Sequence, residues 1–162
     1  MPTSITNIVK TYPRESLDNN TMREPPTDIE LIADTWDLEA LPADLVNLWT
    51  STGERRLHHD IGSGKSGITL LSSTASAERT ERELRFWGVD DARLESTDIV
   101  FATIAERDEF LVFDTSISEF NILLASMFDE RKKWPVVGRT ITDFLHRYKN
   151  APTETAWQQT IV

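Results

Sequence analysis

The sequence predicts a small α+β domain, and three observations carry that prediction. Short apolar runs cluster in the last folded third of the chain, at 99–105, 110–113 and 120–125. Only short polar breaks separate these runs, so the chain must return beside itself as an antiparallel meander. An amphipathic helix follows at 140–150, and further helical patterns precede the strands. The combination of a meander with several helices indicates the α+β class.

Length and composition are typical of a globular protein of one domain. The chain has 162 residues, enough to bury a sizeable core. Residues 1–26 contain four prolines and little apolar periodicity, so we expect a loosely ordered N-terminal arm. The domain is expected at 27–150, and 151–162 is expected to be a tail whose Trp157 can pack back on the domain. No apolar run approaches the ~20 residues of a membrane helix, and the N-terminus lacks a secretory pattern. We therefore expect a cytoplasmic protein with no membrane partner.

The first helix of the domain is predicted to start at Thr27. Thr27 and Glu30 have the spacing of a capping box, in which each side chain takes one free amide of the first turn. One face of this helix is expected to be apolar, with Ile29, Ile32, Ala33 and Trp36.

The second helix is predicted to begin near Pro42, whose missing N–H costs nothing in a first turn. Gly53 is placed to end this helix in a left-handed cap. The inward face is expected to contain Leu41, Leu45, Leu48 and Trp49.

The middle of the chain has weaker patterns. The polar, Gly-rich stretch 54–67 predicts a loop, and 68–71 predicts a short strand. Residues 76–87 predict a helix with Ala77, Leu84 and Trp87 inward.

The C-terminal helix has the clearest pattern in the chain. Thr140 is predicted to cap it, and Asp143 lies near the positive end of the helix dipole. Its inward face is predicted to contain Ile141, Phe144, Leu145 and Tyr148.

Several stretches resemble catalytic or metal-binding motifs without meeting their requirements. The stretch 62–66 (Gly-Ser-Gly-Lys-Ser) is similar to a phosphate-binding loop, but position 59 is His where the motif needs Gly, and a helix does not follow. His58, His59 and Asp60 are adjacent, so their side chains point in different directions, and His146 is remote in sequence. The chain has no cysteine and no Gly-x-Ser-x-Gly elbow. We therefore expect no cofactor, no metal site and no catalytic residues, and a small hydrolase stays a third hypothesis.

The net charge of −10 is unevenly distributed along the chain. Residues 27–60 carry a net −6 and residues 98–130 a net −7, whereas residues 131–150 carry a net +5. Acidic surfaces repel phosphate backbones, which argues against a nucleic-acid ligand. They attract basic partners and accelerate encounter with them.

The order of the elements resembles the SUKH superfamily, the Smi/Knr-like group of bacterial immunity proteins. The resemblance covers about 27–150. The resembling segments are the Leu-Pro-Ala-Asp-Leu stretch at 41–45 that leads to Gly53, the apolar pair 99–102 and 110–113 followed by Asp114, and Trp134 followed by the helix at 140–145.

The resemblance implies a twisted antiparallel sheet with helices packed on one side. It also implies an immunity protein that binds and neutralises a cognate polymorphic or contact-dependent toxin, commonly a nuclease. The alternative is a SUKH-like interaction scaffold or regulator without a toxin partner.

The strand ends and turns of 98–130 are where we expect the partner to bind. Unpaired charge is too costly to bury, so these carboxylates are expected to form a solvent-facing acidic rim against the basic active-site surface of the toxin. Nearby Trp or Phe side chains would supply the apolar anchor. The expected rim consists of Glu106, Asp108, Glu109, Asp114 and Glu119.

Overall fold

A computed structural model describes residues 5–10, 26–57, 67–87, 93–104, 107–116, 120–150, 157–158 and 161. These residues form helices and strands in the chain order α1 (Ile5–Lys10), α2 (Ile29–Thr35), α3 (Ala43–Ser51), β1 (Arg55–Leu57), β2 (Ile68–Leu70), α4 (Ser73–Trp87), β3 (Ile99–Ile104), β4 (Glu109–Asp114), β5 (Asn121–Ser126), β6 (Val136–Gly138) and α5 (Ile141–Asn150). A 3-10 turn at Arg131–Lys133 precedes β6. No helix in the described part of the chain combines the length and the apolar character that a membrane crossing requires.

The strands form one six-stranded sheet in which every neighbouring pair is antiparallel and strand order follows chain order. The predicted α+β fold and its meander are therefore confirmed. β3, β4 and β5 match the three predicted runs to within one residue at the described ends. A bulge between Val100 and Ala102 shifts the register of β3 against β4.

The main core lies between the sheet and the helices α1, α2, α3 and α5. The alternation of side chains along β4 sends Leu111 and Phe113 to this face, and α5 covers them with its apolar side. The core also includes Ile5 and Ile8 of α1, a segment that composition assigns to the N-terminal arm. Residues 11–25 lie outside the described part of the chain.

α5 agrees with its predicted pattern in both cap and face. Thr140 Oγ1 accepts a hydrogen bond from the Asp143 amide at 3.0 Å, and the four predicted apolar residues are buried. Trp157 packs edge-on against Phe144 and Tyr148, with ring centroids 5.8 and 5.4 Å apart, so this part of the tail does return to the core. Gly138 is required before the helix, since a Cβ there would lie 2.8 Å from the Cβ of Phe144.

α2 differs from its predicted pattern. It begins at Ile29, and its N-cap, Asp28, makes no side-chain cap bond. The capping box fails because the Thr27 amide donates to the Trp49 carbonyl at 2.8 Å, which removes the donor that Glu30 would need. Ile32 is the residue of this helix that is buried, so Ile29 and Ala33 do not face inward as predicted.

α3 agrees with its predicted face, and Leu45, Leu48 and Trp49 are buried. Gly53 has a φ of 53°, which confirms the left-handed cap. The predicted loop at 54–67 is wrong at its start, where β1 pairs with β2 through Arg55 opposite Leu70. A three-residue edge strand is too short to show a period in sequence, and β6 escaped prediction for the same reason.

α4 is longer than predicted and packs through a different face. It starts at Ser73, and the buried residues of the helix are polar: Ser73, Ser76, Thr80 and Glu83. The predicted inward residues Ala77, Leu84 and Trp87 are only half-buried. Thr80 Oγ1 accepts from the Val100 amide at 2.9 Å, beside the β3 bulge. Thr80 is tolerated at this buried face because the bulge leaves a strand amide for its hydroxyl to bind.

Candidate functional site

The expected acidic rim is not a single surface. Asp108 lies exposed in the turn before β4, and Glu109, the first residue of β4, pairs with Arg107 at 3.2 Å. Asp114 ends the same strand, five residues further along. Asp114 therefore lies at the opposite end of β4 from Asp108. It is also only 8% exposed, so it does not belong to an exposed rim. Glu106 and Glu119 lie outside the described residues.

Asp114 is buried because Arg131 compensates its charge. The Arg131 guanidinium binds Asp98 through both terminal nitrogens, at 2.5 and 2.9 Å, and lies 3.3 Å from Asp114 and 3.6 Å from Glu95. Burial by itself raises the pKa of Asp114, but hydrogen bonds from Ser116 and the charge of Arg131 lower it overall. The pKa of Asp98 is raised, because its burial outweighs the effect of Arg131.

This carboxylate cluster has the spacing of a cation site but a different occupant. Oxygen atoms of Glu95, Asp98 and Asp114 lie within 4.8 Å of one another. Arg131 pairs with all three carboxylates. Its guanidinium carbon also lies over the Trp134 ring, 5.5 Å from the ring centroid, in a cation–π contact. The guanidinium therefore supplies the positive charge here, and we interpret the cluster as a structural tie between the 93–98 segment, β4 and the 3-10 turn.

The other acidic region of the sequence forms an exposed surface on α2. Residues 26–54 contain seven acids and no Lys or Arg. Asp28, Glu30 and Asp34 are exposed on or beside α2. Two apolar side chains of the same helix, Ile29 and Leu31, remain 53% and 57% exposed. We call this set of five residues the α2 face.

A second surface is a cleft of about 600 Å³ between the C-terminal half of α4 and two turns, one before β4 and one after β5, that lie at the same end of this antiparallel pair. Its most exposed side chains are Phe86 at 75% and Phe128 at 85%, the highest exposures among the described large apolar residues. The floor includes Phe110, over whose ring the Arg79 guanidinium lies at 5.6 Å. The remaining lining residues are Arg82, Glu83, Trp87, Asp108 and Met127.

Sequence reasoning missed both exposed phenylalanines, although one had a visible signal. Phe128 lies in a polar turn directly before Asp129 and Glu130, where a buried residue is not expected. Phe86 already lies outside the predicted inward set of this helix, but an exposed aromatic residue on a helix is not by itself a signal of a site.

Of the motif-like stretches, only His146 lies in the described part of the chain. The segment 62–66 and the residues His58, His59 and Asp60 lie outside the described residues. His146 is exposed on α5.

No family model, no curated protein and no solved structure matches this chain.

Proposed function

We propose that the protein is an immunity protein that binds a cognate basic toxin domain, with a nuclease as the first class to test. The observation that carries the proposal is the α2 face, where Ile29 and Leu31 are exposed among carboxylates in a stretch without Lys or Arg. The resemblance of the chain to SUKH immunity proteins supplies the class of partner. The proposal places the protein in the cytoplasm of a bacterium and assigns it no catalytic step.

The α2 face is complementary in charge to a nuclease active site. Such a site must be basic to hold a phosphate backbone, so acidic groups attract it and accelerate encounter. Charge alone gives weak affinity at an exposed surface, and binding needs apolar contacts that are dehydrated in the complex. Ile29 and Leu31 are two residues apart on the helix, so they flank the outward-facing carboxylates of Glu30 and Asp34 on opposite sides and can provide such contacts at the edges of the acidic surface. Binding would thus cover the active site of the partner with an acidic surface that repels nucleic acid.

The α2 face replaces most of the rim as the proposed contact. Of the five rim residues, Asp108 and Glu109 are the ones described at one end of β4, and Glu109 is already paired with Arg107. Asp108 and Glu109 stay the alternative partner-binding site, and Glu106 and Glu119 stay predictions.

Growth rescue tests the proposal directly. The protein is co-expressed with the product of the gene immediately upstream of its own, and growth is compared between the parent and two variants of equal charge change. Glu30→Lys with Asp34→Lys alters the α2 face, and Asp108→Lys with Glu109→Lys alters the turn. We expect the α2 variant to lose protection and the turn variant to keep it. Full protection by a folded α2 variant would refute the proposed contact.

The alternative function is an interaction scaffold or regulator without a toxin partner. The α2 face would serve a basic regulatory partner equally well. Absence of toxicity from the upstream gene product, together with intact binding of another basic protein, would favour the scaffold.

A further inference from the structure

The cleft between α4 and the turns has two chemically different walls. The α4 wall contains Arg79, Arg82 and Phe86, and the turn wall contains Asp108 and Phe128. Each wall therefore presents one strongly exposed phenylalanine. Large apolar side chains exposed together around one cleft are typical of an interaction surface, so a partner that covers them is expected.

The charges of the two walls are opposite. Arg79 and Arg82 both bind the buried Glu83, at 2.7 and 3.2 Å, so two guanidinium groups share one carboxylate. This trio leaves the α4 wall with a net positive charge. The Arg82 side chain is 58% exposed and open to a further contact. The turn wall supplies the exposed carboxylate of Asp108, with Asp129 exposed beside Phe128.

We propose that the cleft is the interface of a symmetric homodimer whose two-fold axis runs along the cleft. Rotation about such an axis places the α4 wall of each copy against the turn wall of the other. Arg82 then meets Asp108 of the second copy, and Phe86 meets Phe128, each pair occurring twice. An axis across the cleft would place arginine against arginine and is disfavoured by charge. None of the cleft-lining residues belongs to α2, so the proposed toxin contact stays accessible in the dimer.

Sedimentation of the purified full chain, without any toxin, tests the dimer independently of the proposed function. The parent protein is measured over a wide range of concentrations and is expected to shift from monomer to dimer. Phe128→Ser is expected to raise the dimer dissociation constant at least about 30-fold, the effect typical of a truncated interface anchor. Leu31→Ser, a matched change of an exposed apolar residue on α2, should leave that constant unchanged. A parent that stays monomeric, or a dimer that Phe128→Ser does not weaken, overturns the proposal.

A charge swap then tests the pairing itself. Asp108→Arg and Arg82→Asp should each weaken self-association of the variant protein, since each creates two repulsive contacts. Mixing the two variants should restore a heterodimer, because both contacts become attractive again. Circular dichroism confirms that each variant is folded. Asp108→Arg leaves both Glu83 ion pairs intact, so its self-association still tests the pairing if Arg82→Asp does not fold. Failure of the folded variants to associate on mixing, while the parent dimerises, would place the dimer interface elsewhere.

Discussion

At the scale of single residues, compensation of buried charge constrains this molecule most strongly. The Asp98 side chain has no exposed surface, and its charge is met by the Arg131 fork. A carboxylate in this position is tolerated only with its partner, because desolvation of an unpaired ion costs several kcal/mol. The same guanidinium holds Asp114, which is why a residue predicted to face solvent is buried.

Arg131→Met should therefore destabilise the fold by ~3–5 kcal/mol at neutral pH, the usual cost of breaking a buried pair. Denaturant unfolding of both proteins measures the difference. Lys132→Met is the matched control, because Lys132 is exposed and pairs with exposed Glu130, and it should change stability by no more than about 0.5 kcal/mol. A loss below about 1 kcal/mol for Arg131→Met would contradict the proposed tie.

The loss of stability in Arg131→Met is expected to depend on pH. Burial raises the pKa of Asp98 above its ordinary value of 3.8, and loss of Arg131 removes the opposing effect. Because the pKa of Asp98 is higher in the folded state than in the unfolded state, ionisation of Asp98 lowers the free energy of unfolding. Protonation of Asp98 as the pH falls removes this loss of stability. The pKa of Asp114 is lowered from 3.8, so the parent keeps that contribution to stability down to about pH 4 and loses it only at lower pH. The stability gap between parent and variant should thus narrow between about pH 7 and about pH 4. A gap that stays constant would argue against ionised Asp98 as the cause.

Phe144 is the residue on which the α5 core depends most. Its ring stacks on Tyr148 at 6.0 Å between centroids and meets Trp157 edge-on at 5.8 Å. We expect Phe144→Ala to cost ~3–5 kcal/mol, since the fully buried ring leaves a cavity. Thermal or denaturant unfolding measures the loss. A cost below about 1 kcal/mol, the size of a surface effect, is incompatible with the packing described.

At the scale of elements, the start of α5 is held by side chains from two parts of the chain. Thr140 Oγ1 accepts from the Asp143 amide at 3.0 Å, and Asp44 Oδ2 of α3 accepts from the Ile141 amide at 2.7 Å. Free amides of a first turn are thereby satisfied locally by a cap and at long range by another helix. The second contact fixes the position of α5 relative to α3.

Thr140→Ala should cost about 1 kcal/mol of unfolding free energy, because it removes one cap acceptor while the Asp44 contact remains. Thr142→Ala, two residues further along the same helix, is a control for composition and should change stability less. Equal losses for the two variants would show that the cap contributes nothing specific.

At the scale of the whole molecule, uneven charge is the property that bears on partner binding. The α2 face belongs to a stretch without Lys or Arg, whereas two acids of 98–130, Asp98 and Asp114, are buried and paired with Arg131. Under the proposed function, long-range attraction of a basic partner is expected to depend on α2 more than on the strand ends of 98–130.

Glu30→Lys with Asp34→Lys should slow association with the toxin about tenfold at low salt, because steering by surface charge dominates the encounter rate. The difference from the parent should vanish near 1 M salt, where the Debye length is only ~3 Å. Stopped-flow association over a salt series provides the measurement, with Asp108→Lys and Glu109→Lys as the charge-matched comparison. An α2 variant that associates at the rate of the parent at low salt would remove α2 from the encounter surface.

The sequence by itself determined the α+β class, the order of the central strands, and the faces of α3 and α5. These features follow from local periodicity and from the spacing of caps and polar breaks, which are visible within about ten residues. Only the tertiary structure decided the burial of Asp114, the absence of the predicted capping box at Thr27, and the polar packing face of α4. Each depends on a partner far away in sequence: Arg131 for Asp114, the Trp49 carbonyl for the Thr27 amide, and the Val100 amide for Thr80. The joint placement of Phe86 and Phe128 around one cleft belongs with these, because the two residues are far apart in sequence and only the fold brings them together.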